Sequence, residues 1–319
     1  MNKLLGYALL AAMALLPVSF ANAASDYPNK PVTMLIPFSP GGGGDIAVRV
    51  IEKDFKEEFG QPLSFVYKPG AHGAIGYSEM ATLKADGYTI GAVSYPHLLV
   101  NKLKGVGFYE MDSFDLLCMP VRDDVFLVTE KKNGAKTLQE LIDKAKANPN
   151  KLTVGAVDAL QSSHVPALLL KKSGVPYNIT TFNGGPKAVP AVLGGHIDAL
   201  FATKGTAMGS IDAFNVLAVC SDARDPNLPD VPTMKELGYN ITGIIGRGFF
   251  APKGLPADVR QRLEEGFKKI YSKPDVPGRY EPRGMTVKWV DGKEFRKMLE
   301  DFKPQAEEAI KLDKELSKK

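Results

Sequence analysis

Short β-like runs alternate with longer amphipathic runs along most of this chain, and that alternation confines it to an α/β architecture. Residues 32–36, 63–67, 89–93, 114–119 and 125–129 read as strands, with helical stretches at 46–59 and 74–83 between the early ones. Strands at 152–156, 179–182, 198–201 and 216–220 follow, among helical runs at 138–147, 165–172 and 188–193. The last part, at 257–272 and 293–317, reads mainly as helix. Strands joined through helices imply parallel or mixed sheets covered on both faces. No low-complexity linker interrupts the pattern, so two such sheets are joined by short crossings and can face each other across a cleft. Open α/β sheets bind ligands at the carboxyl ends of their strands, and interdomain clefts commonly hold small molecules.

Glycine-rich turns recur where strands should end. The first is Pro37-Phe38-Ser39-Pro40-Gly41-Gly42-Gly43-Gly44-Asp45, between a strand and a helix. Consecutive glycines let backbone N–H groups approach a ligand with no side chain in the way. The following helix adds unpaired N–H groups and its positive dipole end, so the turn reads as an anion cradle. A flexible loop with Asp45 as a helix cap is the plainer reading. The second turn is Lys68-Pro69-Gly70-Ala71-His72-Gly73-Ala74-Ile75-Gly76 and the third is Phe182-Asn183-Gly184-Gly185-Pro186. Together they describe a cleft lined by main-chain donors.

The N-terminus predicts export. Met1-Asn2-Lys3 precedes an apolar run from Leu4 to Phe20, and Ala21-Asn22-Ala23 has the form of a signal-peptidase site. Cleavage after Ala23 leaves 296 residues (319 minus 23), enough for two domains. Without Lys3 the mature chain has 39 basic residues (40 minus 1) against 36 acidic ones, with no dense basic run, which argues against nucleic-acid binding. Cys118 and Cys220 are the two cysteines, each in a strand-like run, either buried thiols or a single bridge.

No catalytic constellation stands out. His72, His97, His164 and His196 show no metal-ligand spacing, and no cysteine lies near them in sequence. Ser163 and His164 are adjacent, and neighbours at a helix start point in different directions. The glycine run lacks the Gly-Lys-Ser/Thr ending of a nucleotide-binding loop. The sequence therefore reads as a binding protein, not an enzyme, with no cofactor and no metal.

Several segments resemble the periplasmic substrate-binding proteins of tripartite tricarboxylate transporters, the Bug or TctC-like family. They are Tyr27-Pro28-Asn29-Lys30-Pro31 with the first glycine turn, Gly60-Gln61-Pro62, the second turn, and Ala85-Asp86-Gly87-Tyr88-Thr89. Gly194-Gly195-His196-Ile197-Asp198, Leu228-Pro229-Asp230-Val231-Pro232-Thr233 and Ala251-Pro252-Lys253-Gly254 extend the resemblance over the mature chain. It implies a two-domain Venus-flytrap fold, type II-like, with mixed sheets and two crossing strands at the hinge. Domain one is expected to combine residues 24–123 with 222–319, and domain two to be 124–221. Cys118 and Cys220 then lie near the crossings, which leaves a disulfide open.

The resemblance also implies a monomeric receptor that captures a small carboxylate, a di- or tricarboxylate, and passes it to a large and a small membrane subunit. By position, Phe38, Ser39, Gly42 and Asp45 form the first wall, Gly70, Ala71 and Ala74 the second, and Ser94 and Tyr95 the third. From domain two come Ser162, Ser163 and His164, then Asn183, Gly184 and Gly185, and Thr203 after the 198–201 strand. The chain departs from the family pattern at Ala74, where Asn is usual, and at His72. It departs again at Ala202, where many relatives have Asp, and the Lys204 that follows would favour anions. Arg247 in Gly246-Arg247-Gly248 suits a second carboxylate through a bidentate bond, or is a surface residue beside two glycines. Two other roles remain open at this stage: a sensory receptor using the same cleft, and a binder of an aromatic or neutral solute.

Overall fold

The computed structural model describes residues 26–316 except 158, 183 and 184. The expected signal segment and its cleavage site lie outside the described residues. Ten strands form one mixed sheet: β1 Val32–Ile36, β2 Leu63–Tyr67, β3 Thr89–Tyr95, β4 Phe114–Glu130, β5 Thr153–Val157, β6 Asn178–Phe182, β7 Ala199–Thr203, β8 Phe214–Val219, β9 Ile244–Pro252 and β10 Thr286–Val287. The order is β2-β1-β3-β9-β4-β7-β5-β6, with β8 and β10 also on β4. Strands β2, β1 and β3 are parallel, as are β6, β5 and β7, while β9 and β4 run antiparallel to their neighbours.

The sheet has two halves because β4 is long enough to serve both. Its first part pairs with β9 and its second with β7 and β8. The two strands expected at 114–119 and 125–129 are thus one. Pro120, which has no N–H to donate, sits at the register shift between Cys118 and Val121, where a ladder bond is not needed. The chain returns at a second crossing, where three main-chain bonds close a ring. Val125 N–H donates to the Gly243 carbonyl, Gly243 N–H to that of Cys220, and Cys220 N–H to that of Val125.

Strand β9 is absent from the strands expected of the sequence, which left Gly246-Arg247-Gly248 unassigned. Glycine is required there by close packing inside the sheet, not by turning. A Cβ on Gly246 would lie 2.0 Å from Met119 Sδ, and one on Gly248 would lie 2.4 Å from the Cys118 carbonyl oxygen. The helix expected at 46–59 is broken into Gly43–Arg49 and Glu52–Phe59, with Ile51 non-helical between them.

One large apolar cluster fills the first half around Met34, Phe55, Phe249 and Phe267, and another fills the second half around Val125, Leu141, Tyr177 and Phe201. The C-terminal helix Gly292–Leu316 joins them. Its Phe295 and Leu299 pack under β4 and β9, and its Ala306, Ala309 and Ile310 meet Leu160, Val165 and Leu168 of the second half. Lys172 and Glu308 add an ion pair at 2.7 Å across that seam.

Cys118 and Cys220 are both buried free thiols, so the disulfide left open by the resemblance is not formed. Cys220 sits at the crossing beside Val125, seven positions along β4 from Cys118, which is on the order of 20 Å of extended chain and far beyond bridging reach. Burial pushes both thiols upward, so neither is a reactive thiolate. Among the described residues no helix is long and apolar enough to cross a membrane. Nor does any group of three or more His, Cys, Asp or Glu stand ready for a metal.

Candidate ligand cleft

The loops that leave the carboxyl ends of β1, β3, β5, β6 and β7 converge with β4 and β9 on one cleft of about 430 Å³. Gly43 and Ile46 come from the loop and helix after β1, and His97 from the turn after β3. Gln161, Ser162 and Ser163 follow β5, Gly185 follows β6, and Thr203, Gly205 and Thr206 end or follow β7. Asp123, Ile245 and Arg247 rise from the crossing strands between the halves. This is where parallel sheets place ligands.

Alternation along the strands sorts what faces the cleft. Arg247 on β9 pairs with Ser94 on β3 and Val121 on β4, and Ile245 pairs with Asp123. Paired residues share a face, so Ser94, Arg247, Asp123 and Ile245 lie on the same side. Their neighbours Tyr95, Gly246, Arg122 and Ile244 point the other way, and Tyr95, Arg122 and Ile244 line a separate cavity of about 290 Å³ behind the sheet. Tyr95, expected in the cleft, therefore packs on Phe302 of the C-terminal helix, with ring centroids 5.5 Å apart. A one-residue displacement along a strand turns a side chain to the opposite face.

Arg247 is the central cation. Its guanidinium lies against Gly43 so closely that a Cβ there would meet Nη2 at 2.4 Å. Its Nε is buried with no hydrogen-bond partner, and among the described residues it makes no ion pair. Burial pulls its pKa down, partly offset by Asp123, and an arginine remains charged regardless. The glycine at position 43 thus makes room for an arginine as well as for a ligand.

Three further buried polar groups surround it. Asp123 is 4% exposed, and its Oδ1 accepts the Gly205 N–H at 3.0 Å. Burial pushes its carboxyl up to about 6, against the pull of Arg247 and the Gly205 N–H. His97 has an unpartnered Nδ1 and stands edge-on to Phe38. Burial, with the Arg247 and His72 charges, pushes its imidazole down to about 3, so it is neutral. Gln161 is buried with neither amide atom bonded. Unbonded buried polar groups are costly, and together they describe a site built to bond a polar guest.

Of the residues named from the sequence, Ser162, Ser163, Gly185, Thr203 and Arg247 line this cleft. Ser163 Oγ is committed locally, donating to the Val157 carbonyl and accepting its N–H, and Thr203 Oγ1 accepts the Thr206 N–H. Phe38 and Ser94 line a narrow cavity that shares Arg247. Gly42 caps the 43–49 helix beside the cleft, and Ser39 is exposed, its carbonyl taking the Gly42 N–H. Asp45 does not touch the cleft. Its carboxylate, buried but held low by the Gly41 N–H, Tyr67 and Arg49, clasps the glycine loop from behind.

Other residues named from the sequence lie away from this cleft. His164 is turned inward, its Nδ1 accepting the Leu160 N–H, so it braces the turn and does not line the cleft. Gly70, Ala71 and Ala74 lie in a turn whose Ala71 and His72 carbonyls are held by Asn101, away from the cleft lining. Lys204 is buried against Asp225 at 2.8 Å and offers nothing to an anion in the cleft. Asn183 and Gly184 lie outside the described residues. Asp123, Gln161, Gly205 and Thr206 went unread, while Gly43 was read only as part of the first glycine turn and His97 only as a histidine without metal spacing. A charged triplet, Arg122-Asp123-Asp124, inside an otherwise apolar run was the one sequence signal for Asp123.

The two halves of the mixed sheet thus meet around one polar cleft, the arrangement of a solute-binding protein. Residues 47–313 match the tripartite tricarboxylate transporter family receptor family, TctC, and the chain belongs to it. The Protein BugT of Bordetella pertussis is 33% identical over 277 residues, 83% of each chain. A TctC solute-binding protein from Polaromonas, solved with no ligand, superposes with a TM-score of 0.80 at 25% identity, over 89% of this chain and 99% of its own. An R. palustris protein solved with adipate shares the fold, with a TM-score of 0.75 at 22% identity over 90% of this chain and 98% of its own. The family's members are periplasmic solute-binding receptors, and this chain is a receptor, not an enzyme.

Proposed function

We propose that this protein captures a small carboxylate in the cleft, with Arg247 as its anchor, and delivers it to the membrane subunits of a tripartite transporter. The carrying observation is the buried, unpartnered Arg247 Nε at the floor of a cleft lined from both halves of the sheet. A guanidinium bonds a carboxylate through two parallel N–H donors, and such charge-assisted bonds are worth about 1.5–3 kcal/mol each. The family membership and the adipate-bound neighbour agree with a carboxylate guest.

Capture proceeds without covalent chemistry. The lobes approach one another around the guest, and the guest shifts that equilibrium only by its extra affinity for the closed form. The lobes we assign are residues 24–123 with 222–319 and residues 124–221, with Met234 and Ile241 packing on the second lobe before the return at Gly243. The working form is a monomer in the periplasm, cleaved after Ala23. A thermal-shift screen of the mature protein against mono-, di- and tricarboxylates, aromatic acids and neutral solutes tests this reading. A concentration-dependent rise with a carboxylate class, lost in Arg247→Ala, supports it. A rise only with neutral solutes refutes it.

A further inference from the structure

We propose that the cleft selects a ligand with one carboxylate and, at its other end, an N–H donor such as a primary amide or an ammonium, which Asp123 receives. The inference rests on the carboxylate reading above and adds the chemistry of the second end.

Arg247 and Asp123 occupy diagonal positions on one face of the β4–β9 pair, Arg247 opposite Val121 and Asp123 opposite Ile245. Both line the cleft, yet no ion pair joins them. Diagonal positions lie roughly 7–8 Å apart at the backbone, and from there the Arg247 guanidinium reaches Gly43 in the loop after β1 while Asp123 is bonded to Gly205 after β7. A fixed cation and a fixed carboxylate, separated and both desolvated, form a template of opposite ends. A guest that is anionic at one end and donates hydrogen bonds at the other matches both.

The remaining lining groups do not override that polarity. Gln161 can donate or accept, and neutral His97 carries one donor and one acceptor, so each suits either end. Arg283 stands at the exposed rim, its Nη1 donating to the Arg279 carbonyl. Gly205 N–H bonds Asp123 Oδ1 and so favours its charged form, which is the predominant form at pH 7.5 with a carboxyl titrating near 6. A second carboxylate brought to that end meets the like charge of Asp123, whose own side chain is buried. An amide or ammonium adds a donor to a carboxylate that already receives the Gly205 N–H and the Thr203 side chain.

Titration calorimetry at pH 7.5 with matched probes of four, five and six carbons decides the point. Each chain length is offered as the diacid, its monoamide and the ω-amino acid: succinate, succinamate and 4-aminobutanoate at the shortest. We expect the monoamide or amino acid to bind at least tenfold tighter than the diacid at the preferred length, and Asp123→Asn to abolish or reverse that ratio. A diacid that binds as tightly as or more tightly than both partners at every length overturns the inference while leaving carboxylate capture intact. That wild-type ratio is decisive even if Asp123→Asn does not fold. Absence of binding by every probe overturns this inference, while the carboxylate reading is decided by the wider thermal-shift screen.

Discussion

Asp123 and Arg247 share a face of the sheet, each feels the other's charge, and among the described residues neither makes an ion pair. For Asp123 this sets a stability effect of definite sign. Its folded pKa, about 6, lies above the unfolded value near 3.9, so the native state binds more proton between those values and stability falls as pH rises through them. Asp123→Asn is therefore expected to raise the melting temperature at pH 7.5, by up to about 3 kcal/mol in stability, with the gain shrinking toward pH 4. A gain that does not vary with pH would contradict it. Lys204 behaves oppositely. Removing it by Lys204→Ala strands Asp225, whose side chain is 1% exposed, and should lower stability in urea by about 3–5 kcal/mol. A loss under 1 kcal/mol would show that water reaches the pair.

At the scale of elements, the sequence was legible where one pattern decided the outcome. Residues 32–36, 63–67 and 138–147 form the elements expected of them, because period-2 or period-3.6 patterning and flanking turn residues agree there. Strand β9 was illegible since its glycines answer to Met119 and Cys118, residues distant in the chain. The cleft was half legible for the same reason. Loops at strand ends announce themselves through glycine, whereas the faces of β3, β4 and β9 depend on registers that one sequence does not display. Gly43 joins both kinds of information, opening the helix Gly43–Arg49 while lying under the Arg247 guanidinium. Gly43→Ala should leave the melting temperature within a degree or two of wild type yet displace Arg247, weakening carboxylate binding about tenfold, the equivalent of about 1.4 kcal/mol. Calorimetric titration of the best carboxylate from the screen checks it, and an unchanged affinity would show that Arg247 can move aside freely.

At the scale of the molecule, two passages of chain and one helix tie the halves together. The passages cross at Val125, Cys220 and Gly243, and the helix Gly292–Leu316 packs against both halves through one apolar cluster. A shared cluster couples unfolding, so the described body is expected to melt in a single transition with equal calorimetric and van't Hoff enthalpies. Leu168→Ala, which opens a cavity at that seam, should lower stability by about 2–5 kcal/mol and split or broaden the transition. Two separate transitions in the unaltered protein would show the halves to be independent. The same helix would limit the lobe opening proposed above, since Val165 and Leu168 share one apolar cluster with Ala306 and Ile310.

The most direct measurement is the affinity of the best carboxylate from the screen for the unaltered protein and for Arg247→Gln, at pH 7.5 with folding checked by circular dichroism. An anchoring arginine predicts a loss of at least about tenfold, one charge-assisted bond's worth. Equal affinities would mean that the carboxylate is held elsewhere and that Arg247 only fills the floor of the cleft.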